Sequence, residues 1–360
     1  MSAADSPDLT LGATVDWQFA ATFGSRLARP GPPSSDYTRR QAIDELTALA
    51  AKAEPPVRDV TGLMAEGREG GVPAARIVDR AEWVRAAAES MRVMTNGTDK
   101  PRGFFTGRLT GAQTGAVLAF VASGILGQYD PFAAAEQPEK GSLLLVYPNV
   151  IAVERQLRLE PSDFRLWVCL HEVTHRVQFT ANRWLSGYMS DSLGLLTQES
   201  GEDVGQVMSR LADFVRSRGD GASASPDGPD GSGILSLVRA VQSEPQRKAL
   251  DRLLVLGTLL EGHADHVMDA VGPVVVPSVA TIRRRFDERR HRKQPPLQRL
   301  LRALLGLDAK LSQYTRGKAF VDHVVGRVGM QQFNTIWSGP ETLPLPDEIE
   351  QPQRWIDRVL

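Results

Sequence analysis

Cysteine is almost absent from the sequence, which has only Cys169 among 360 residues, so an intramolecular disulfide cannot form. A single thiol is typical of chains in a reducing compartment, and we expect a cytoplasmic protein. An excess of either charge is also missing, since 42 Lys and Arg against 43 Asp and Glu leave a net charge of −1. The chain as a whole therefore has no field for holding nucleic acid or an anionic membrane, and we expect partners to be recognised locally.

Long apolar runs are missing as well. The most apolar stretch, Ala116–Leu126, is shorter than the about 20 residues that cross a bilayer. Gly111 and Gly115 precede it at a spacing typical of tight helix packing. The first residues lack the basic patch and apolar core of a secretory signal. We therefore expect a packed internal helix here and no membrane segment.

The remaining composition is that of a globular protein, with 42% hydrophobic and 24% charged residues. Apolar residues recur mostly at helical spacing, and the clearest strand is the run Ser142–Tyr147, which Pro148 and Asn149 close. We therefore predict a mainly helical fold with a small β-sheet (α+β). We predict one helix that begins near Asp36. Further helices are predicted to cover about 75–94, 107–126, 163–184, 203–216, 245–271, 278–290 and 296–323.

The most informative motif is His171-Glu172-Val173-Thr174-His175, inside one of these helices. Residues four apart lie one helical turn apart on the same face, so both imidazoles can bind one metal ion. Glu172 then lies beside a water on that ion, where it can act as general base. The alternative is a pair of histidines on a solvated helix face. Burial is favoured by the neighbours Trp167, Val168, Leu170, Thr174 and Val177.

A catalytic zinc site takes three protein ligands and one open position, so a third ligand must come from elsewhere. We expect it to be Glu261, in an apolar helix that is also rich in acidic and histidine residues. Asp265, one turn further on, is expected to accept the second N–H of a ligand histidine and fix its tautomer. His263 and His266 are the alternative ligands.

Several other residues are candidates for lesser roles. Tyr314 or His263 can donate a hydrogen bond to an oxyanion, although Tyr314 can equally be a core residue. Gln178 lies one turn beyond His175 and can line a substrate site or serve as a structural amide. We expect Cys169 to be a buried packing residue.

Two segments suggest partners. The strand Leu143–Tyr147 either offers an edge to which an extended peptide can add or is an internal strand. The most basic stretch, Arg283–Lys293, is expected to be a solvated helix end, with an anionic partner such as nucleic acid as the alternative.

Seven segments spread over most of the chain carry a resemblance, and they are Val15–Trp17, Arg80–Trp83, Tyr147–Asn149, Trp167–Phe179, Glu261–Asp265, Lys310–Phe320 and Phe333–Trp337. In these segments the chain resembles a known group, the zincin-like hydrolases of actinobacteria and their relatives. These proteins are also called zinc-dependent metalloproteases and, from genome co-occurrence, deazaflavin-coenzyme biosynthesis-associated proteins. The resemblance implies a zincin-type fold with His171, His175 and Glu261 as ligands and Glu172 as base, but it implies no substrate.

We therefore expect a gluzincin-like metallopeptidase or related amide hydrolase with one Zn²⁺ per chain and a peptide or protein substrate. The alternative is a scaffold or binding protein in which zinc only joins two helices. We expect residues 1–35 to be an extension and 36–360 the hydrolase region, with an alternative division into a helical part, 36–140, and a catalytic part, 141–360. Residues 219–233 are predicted to be a mobile surface insertion.

Overall fold

The computed structural model describes residues 14–64, 73–95, 97, 104–133, 141–197, 243–290 and 307–360. It confirms a mostly helical fold with a small sheet. Among the described helices, none combines the length and the apolar character that a membrane crossing requires. In chain order the elements are α1 (Trp17–Leu27), α2 (Asp36–Lys52), α3 (Glu54–Thr61), β1 (Arg76–Val78), α4 (Arg80–Met94), α5 (Phe104–Val121), β2 (Gly127–Asp130), β3 (Ser142–Val146), α6 (Tyr147–Leu157), α7 (Pro161–Ala181), α8 (Trp184–Thr197), α9 (Glu244–Val275), α10 (Val279–Arg290), α11 (Leu307–Phe333), 3₁₀ turns at Asn334–Trp337 and Pro340–Thr342, and α12 (Pro352–Val359).

The strand β3 lies at the centre of the described sheet. It pairs with β1 in parallel on one side and with β2 antiparallel on the other. Because both of its edges are paired, the prediction that this strand offers an edge to a peptide is wrong, and the alternative of an internal strand is confirmed. All five residues of β3 are buried, which is why the sequence shows an unbroken apolar run.

This central strand also divides the apolar core. Leu143 and Leu145 face the main core, whereas Leu144 and Val146 belong to a smaller cluster with residues of α4 and α5. Successive side chains of a strand point to opposite faces, so one short strand supports both clusters. The helix α7 crosses the main core and packs against α2 and α9.

Several predicted boundaries are confirmed and others are wrong. Asp36 begins α2 because the Ser35 hydroxyl accepts a hydrogen bond from the Thr38 backbone N–H at 3.1 Å. The predicted helix over 75–94 begins only at Arg80, where Asp79 and Glu82 form a capping box. The residues before it form β1 instead.

The predicted strand ends at Val146, one residue before its predicted end, and the residues that close it begin a helix. Pro148 occupies the first turn of α6, where its missing N–H costs nothing. The buried Asn149 amide donates to the carbonyls of Ala122 and Ile125 at 2.8 and 2.5 Å, which fixes the chain between α5 and β2. The predicted helix over 107–126 accordingly ends earlier, at Val121.

Tight packing of α5 through glycine is confirmed, but the prediction of an internal helix is wrong, because Phe105, Leu109 and Val117 of α5 are exposed. A Cβ atom on Gly115 would lie 2.6 Å from the Ala20 carbonyl oxygen of α1, and one on Gly111 would lie 2.6 Å from that of Asp16. The two helices therefore approach each other at a distance that only glycine allows.

In the second half of the chain, α9 leaves helical geometry at Gly272, with φ 68°, where the sequence predicted an end. The helix α10 matches the prediction over 278–290, and α11 continues beyond the predicted end to Phe333. The predicted helix over 203–216, the predicted insertion at 219–233 and residues 296–306 lie outside the described residues.

Candidate metal centre

The helix α7 is fixed in the core by buried ion pairs near both ends. Arg165 contacts Glu154 of α6 at 2.9 Å, and Arg176 pairs with Glu54 of α3. Pro161 occupies the first turn, and Asp163 accepts a hydrogen bond from the Ser278 backbone N–H at 2.8 Å. These contacts set the rotation of α7 and therefore the direction in which its histidines point.

His171 and His175 lie one turn apart on α7, with ring centroids 4.7 Å apart and planes at 87°. The Nε2 atoms of the two rings face each other at 3.2 Å. From α9, the Glu261 Oε2 atom reaches to 3.3 Å from His171 Nε2 and 3.6 Å from His175 Nε2. Among the described residues, these three form the one group of His, Cys, Asp and Glu side chains spaced to hold a metal ion.

This cluster fits zinc. Bonds of about 2.0–2.1 Å in a tetrahedral arrangement place neighbouring ligand atoms about 3.3 Å apart. The observed separations of 3.2, 3.3 and 3.6 Å agree with that geometry. Two imidazole nitrogens and one carboxylate oxygen are also a donor set that zinc prefers, and three protein ligands leave a fourth position open.

The electrostatics of the cluster favour a positive charge between its members. Burial alone would lower the pKa of His171, but hydrogen bonding to Glu261 and the charges of Glu172, Glu261 and Asp265 raise it to about 9. Burial raises the pKa of Glu261, yet contacts with His171 and His175 hold it well below its usual range. A carboxylate that stays ionised when it is partly buried is suited to binding a cation.

The Nδ1 atoms of both histidines are engaged by other side chains. His175 Nδ1 lies 2.9 Å from the Gln178 Oε1 atom. His171 Nδ1 lies 3.3 Å from the Met268 Sδ atom. Because both Nδ1 atoms are occupied, the Nε2 atoms are the ones that can bind a metal.

Asp265 does not make the predicted hydrogen bond. Its carboxylate instead accepts one from the Arg283 guanidinium of α10 at 2.9 Å. Arg283 also contacts Asp269 and lies 5.6 Å from the Trp167 ring centroid of α7. Asp265 therefore joins α9 to α10 and acts on His171 only through its charge.

The two alternative ligands lie elsewhere. The His263 side chain is fully buried, and burial, followed by the charges of His266 and His175, lowers its pKa to about 3. Its ring stacks on Phe333 and meets Trp337 edge-on, so it is a core residue and not a ligand or an oxyanion donor. His266 Nδ1 lies 2.7 Å from the Asp322 carboxylate.

Glu172 is buried against β2. A Cβ atom placed on Gly127 would lie 2.7 Å from the Glu172 Cγ atom, so only glycine fits opposite this carboxylate. Sequence reasoning missed this contact, although a glycine inside a strand often marks a close approach. Tyr314 lies within α11, but its side chain is outside the described part of the structure. Cys169 is buried, as predicted, and burial raises its pKa.

The basic stretch is used partly inside the protein. Arg283 binds Asp265 and Asp269, and Arg285 donates to the Leu157 carbonyl at 3.1 Å. Arg284 is exposed beside Glu288, as expected of a solvated helix end. Residues 291–293 lie outside the described residues.

The chain is similar to known proteins over most of its length. A family model described as a zincin-like metallopeptidase matches residues 15–356. The chain is also similar to a crystal structure from Chloroflexus aurantiacus described as a candidate hydrolase with a novel fold. The identity is 30%, the alignment covers 96% of this chain and 98% of that one, and the TM-score is 0.63. No curated protein matches the chain.

Proposed function

Because the chain belongs to the zincin-like metallopeptidase family, we propose that it is a zinc-dependent metallopeptidase or a related amide hydrolase. The observation that carries this proposal is the convergence of His171, His175 and Glu261 from two helices. Their arrangement is of the gluzincin type, in which a glutamate from a second helix is the third ligand. We propose one Zn²⁺ per chain.

The residues of the chain would divide the chemistry as follows. When bound, zinc supplies a Lewis acid that polarises a carbonyl and makes water acidic near neutral pH. One oxygen of the Glu172 carboxylate accepts a proton from the attacking water. The same oxygen later donates that proton to the leaving nitrogen. The water oxygen forms a new bond to the carbonyl carbon, and the bond from that carbon to nitrogen breaks. The net reaction is hydrolysis of an amide.

We propose a peptide or protein as the substrate, because the family is that of zincin-like metallopeptidases. The arginine that begins the basic stretch, Arg283, is paired inside the protein, and the net charge is −1. Both facts argue against nucleic acid, which is recognised through unpaired basic groups.

The test pairs metal analysis with peptide hydrolysis for the wild type and Glu172→Gln. Glu160→Gln is the matched control, since Glu160 precedes the same helix and its side chain is exposed and makes no capping bond. We expect about one zinc per chain in all three proteins. Turnover of a diverse peptide library should fall by about 10²- to 10⁴-fold in Glu172→Gln and stay unchanged in Glu160→Gln.

Two results would contradict the proposal. Purified wild type that binds no zinc would remove the metal centre. Zinc bound at full occupancy, with no hydrolysis that depends on Glu172, would instead support the alternative in which zinc only joins α7 to α9.

A further inference from the structure

Gln178 connects the two helices that carry the metal-binding residues. It lies on α7, one turn after His175, and its side chain is fully buried. Its Oε1 atom lies 2.9 Å from His175 Nδ1. Its Nε2 atom lies 3.0 Å from the Leu260 carbonyl oxygen and 2.9 Å from His263 Nδ1, both on α9.

The Leu260 carbonyl determines the direction of every hydrogen bond in this group. A backbone carbonyl can only accept, so the amide NH₂ of Gln178 must face it. Oε1 then faces His175 and can only accept, so the proton of the His175 ring must be on Nδ1. This leaves the lone pair on His175 Nε2, the atom that faces His171 Nε2 at 3.2 Å.

The opposite orientation of the amide would abolish metal binding by His175. Oε1 would then face the Leu260 carbonyl, and the NH₂ group would donate to His175 Nδ1. The ring would carry its proton on Nε2, where no lone pair would remain for zinc. Leu260 immediately precedes Glu261, so the same amide also fixes the backbone from which the third ligand extends.

His263 provides the second acceptor for the amide NH₂ group. Its Nδ1 must accept, because Gln178 Nε2 can only donate, and its Nε2 has no hydrogen-bond partner among the described residues. The proton of the neutral ring is therefore on Nε2, where a buried N–H without a partner costs free energy that the contact with Gln178 must offset. The contact with Gln178 explains why a histidine rather than an apolar ring lies between Phe333 and Trp337.

We propose that Gln178 is a positioning residue that fixes the His175 ring in the zinc-binding tautomer, and that His263 fixes the orientation of the Gln178 amide. This inference rests on the proposed function, because the tautomer matters only if His175 binds a metal. It adds to the site two residues that do not contact the metal position.

The experiment measures the His175 tautomer and the zinc affinity in the full-length chain. The tautomer is read from nitrogen-15 NMR of histidine-labelled, zinc-free protein, in which the metal cannot impose it; only six histidines contribute signals. The zinc dissociation constant is measured by competition with a chromophoric chelator. The variants are Gln178→Leu, Gln178→Glu, which keeps the acceptor toward His175, and His263→Phe, which keeps the stacked ring.

The matched control is Thr180→Val, which removes a 2.7 Å side-chain hydrogen bond of the same helix without contacting a ligand. We expect the wild-type His175 to carry its proton on Nδ1. Gln178→Leu should mix the tautomers and weaken zinc binding about 10- to 100-fold. Gln178→Glu should keep the proton on Nδ1, His263→Phe should mix the tautomers partially, and Thr180→Val should match the wild type.

A wild-type His175 protonated on Nε2 would overturn the inference. So would Gln178→Leu with wild-type zinc affinity and an unchanged His175 signal. If Gln178→Leu does not fold, His263→Phe decides, and an unchanged His175 signal and zinc affinity in that variant would count against the proposed network. A wild type that binds no zinc would overturn the proposed function, while the tautomer assignment would still be judged by the NMR spectrum.

Discussion

The contact between α9 and α11 beside Glu261 allows a test in which two glycines of one helix give opposite results. A Cβ atom on Gly262 would lie 2.1 Å from the Gly317 carbonyl carbon of α11. The same atom on Gly257, one and a half turns earlier in α9, would meet nothing within 4 Å among the described residues. Gly262→Ala therefore forces the helices apart, whereas Gly257→Ala does not.

The size of the effect follows from the distances. An ordinary contact begins at 3.4 Å, so the atoms around a Cβ that lies 2.1 Å from backbone must move by more than 1 Å. Such overpacking costs about 1–3 kcal/mol. Gly257→Ala should instead stabilise the helix by about 0.5–1 kcal/mol, because alanine loses less backbone entropy.

The shift should also reach the metal centre, because Glu261 is the neighbour of Gly262. Catalytic and binding groups must be held within about 0.5 Å of their working geometry, so a larger displacement should weaken zinc binding. The assays are chemical denaturation and chelator competition on both variants and the wild type. A Gly262→Ala protein as stable as Gly257→Ala, with wild-type zinc affinity, would refute the close contact.

Two further substitutions test the site itself. Glu261→Gln should weaken zinc binding by more than about 100-fold, because losing an outer contact of a ligand already costs about 10- to 100-fold. The control His266→Asn, on the same helix, should leave the zinc affinity unchanged. A chelator titration that gives the opposite ranking would show that Glu261 is not the third ligand. Gly127→Ala would place a Cβ atom 2.7 Å from Glu172 Cγ and should lower peptide turnover while full zinc occupancy is retained. An unchanged turnover number would show that the Glu172 carboxylate is not held against β2.

The parts of the site that could be predicted depend on local spacing. His171 and His175 share a face because the helical repeat brings them together, and Glu261 stands out as a carboxylate in an apolar helix. The structure brings all three together. The fold class was likewise predictable, because periodic apolar positions are visible along most of the chain.

The parts that could not be predicted depend on which residues meet across the core. The spacing predicts that Asp265 accepts a hydrogen bond from a ligand histidine. Arg283 of another helix instead donates a stronger, charge-assisted hydrogen bond to Asp265. The strand Arg76–Val78 looks helical in sequence and becomes a strand only because β3 is beside it. Gln178 could be placed on the correct face, yet its role depends on acceptors from α9.

The outer contacts of the two histidines are both uncharged, and this has a chemical consequence. A carboxylate that accepts from a metal-bound imidazole makes that ligand more basic and reduces the charge felt by the substrate. Here the acceptors are the Gln178 amide and the Met268 thioether, while the Asp265 carboxylate binds Arg283 and not a ligand histidine. Glu261 and Glu172 together would balance the charge of a divalent cation, so the proposed site would reach neutrality without a further carboxylate. The two imidazoles would therefore be weaker donors, and in the proposed hydrolase a bound cation would keep more of its charge for polarising a carbonyl.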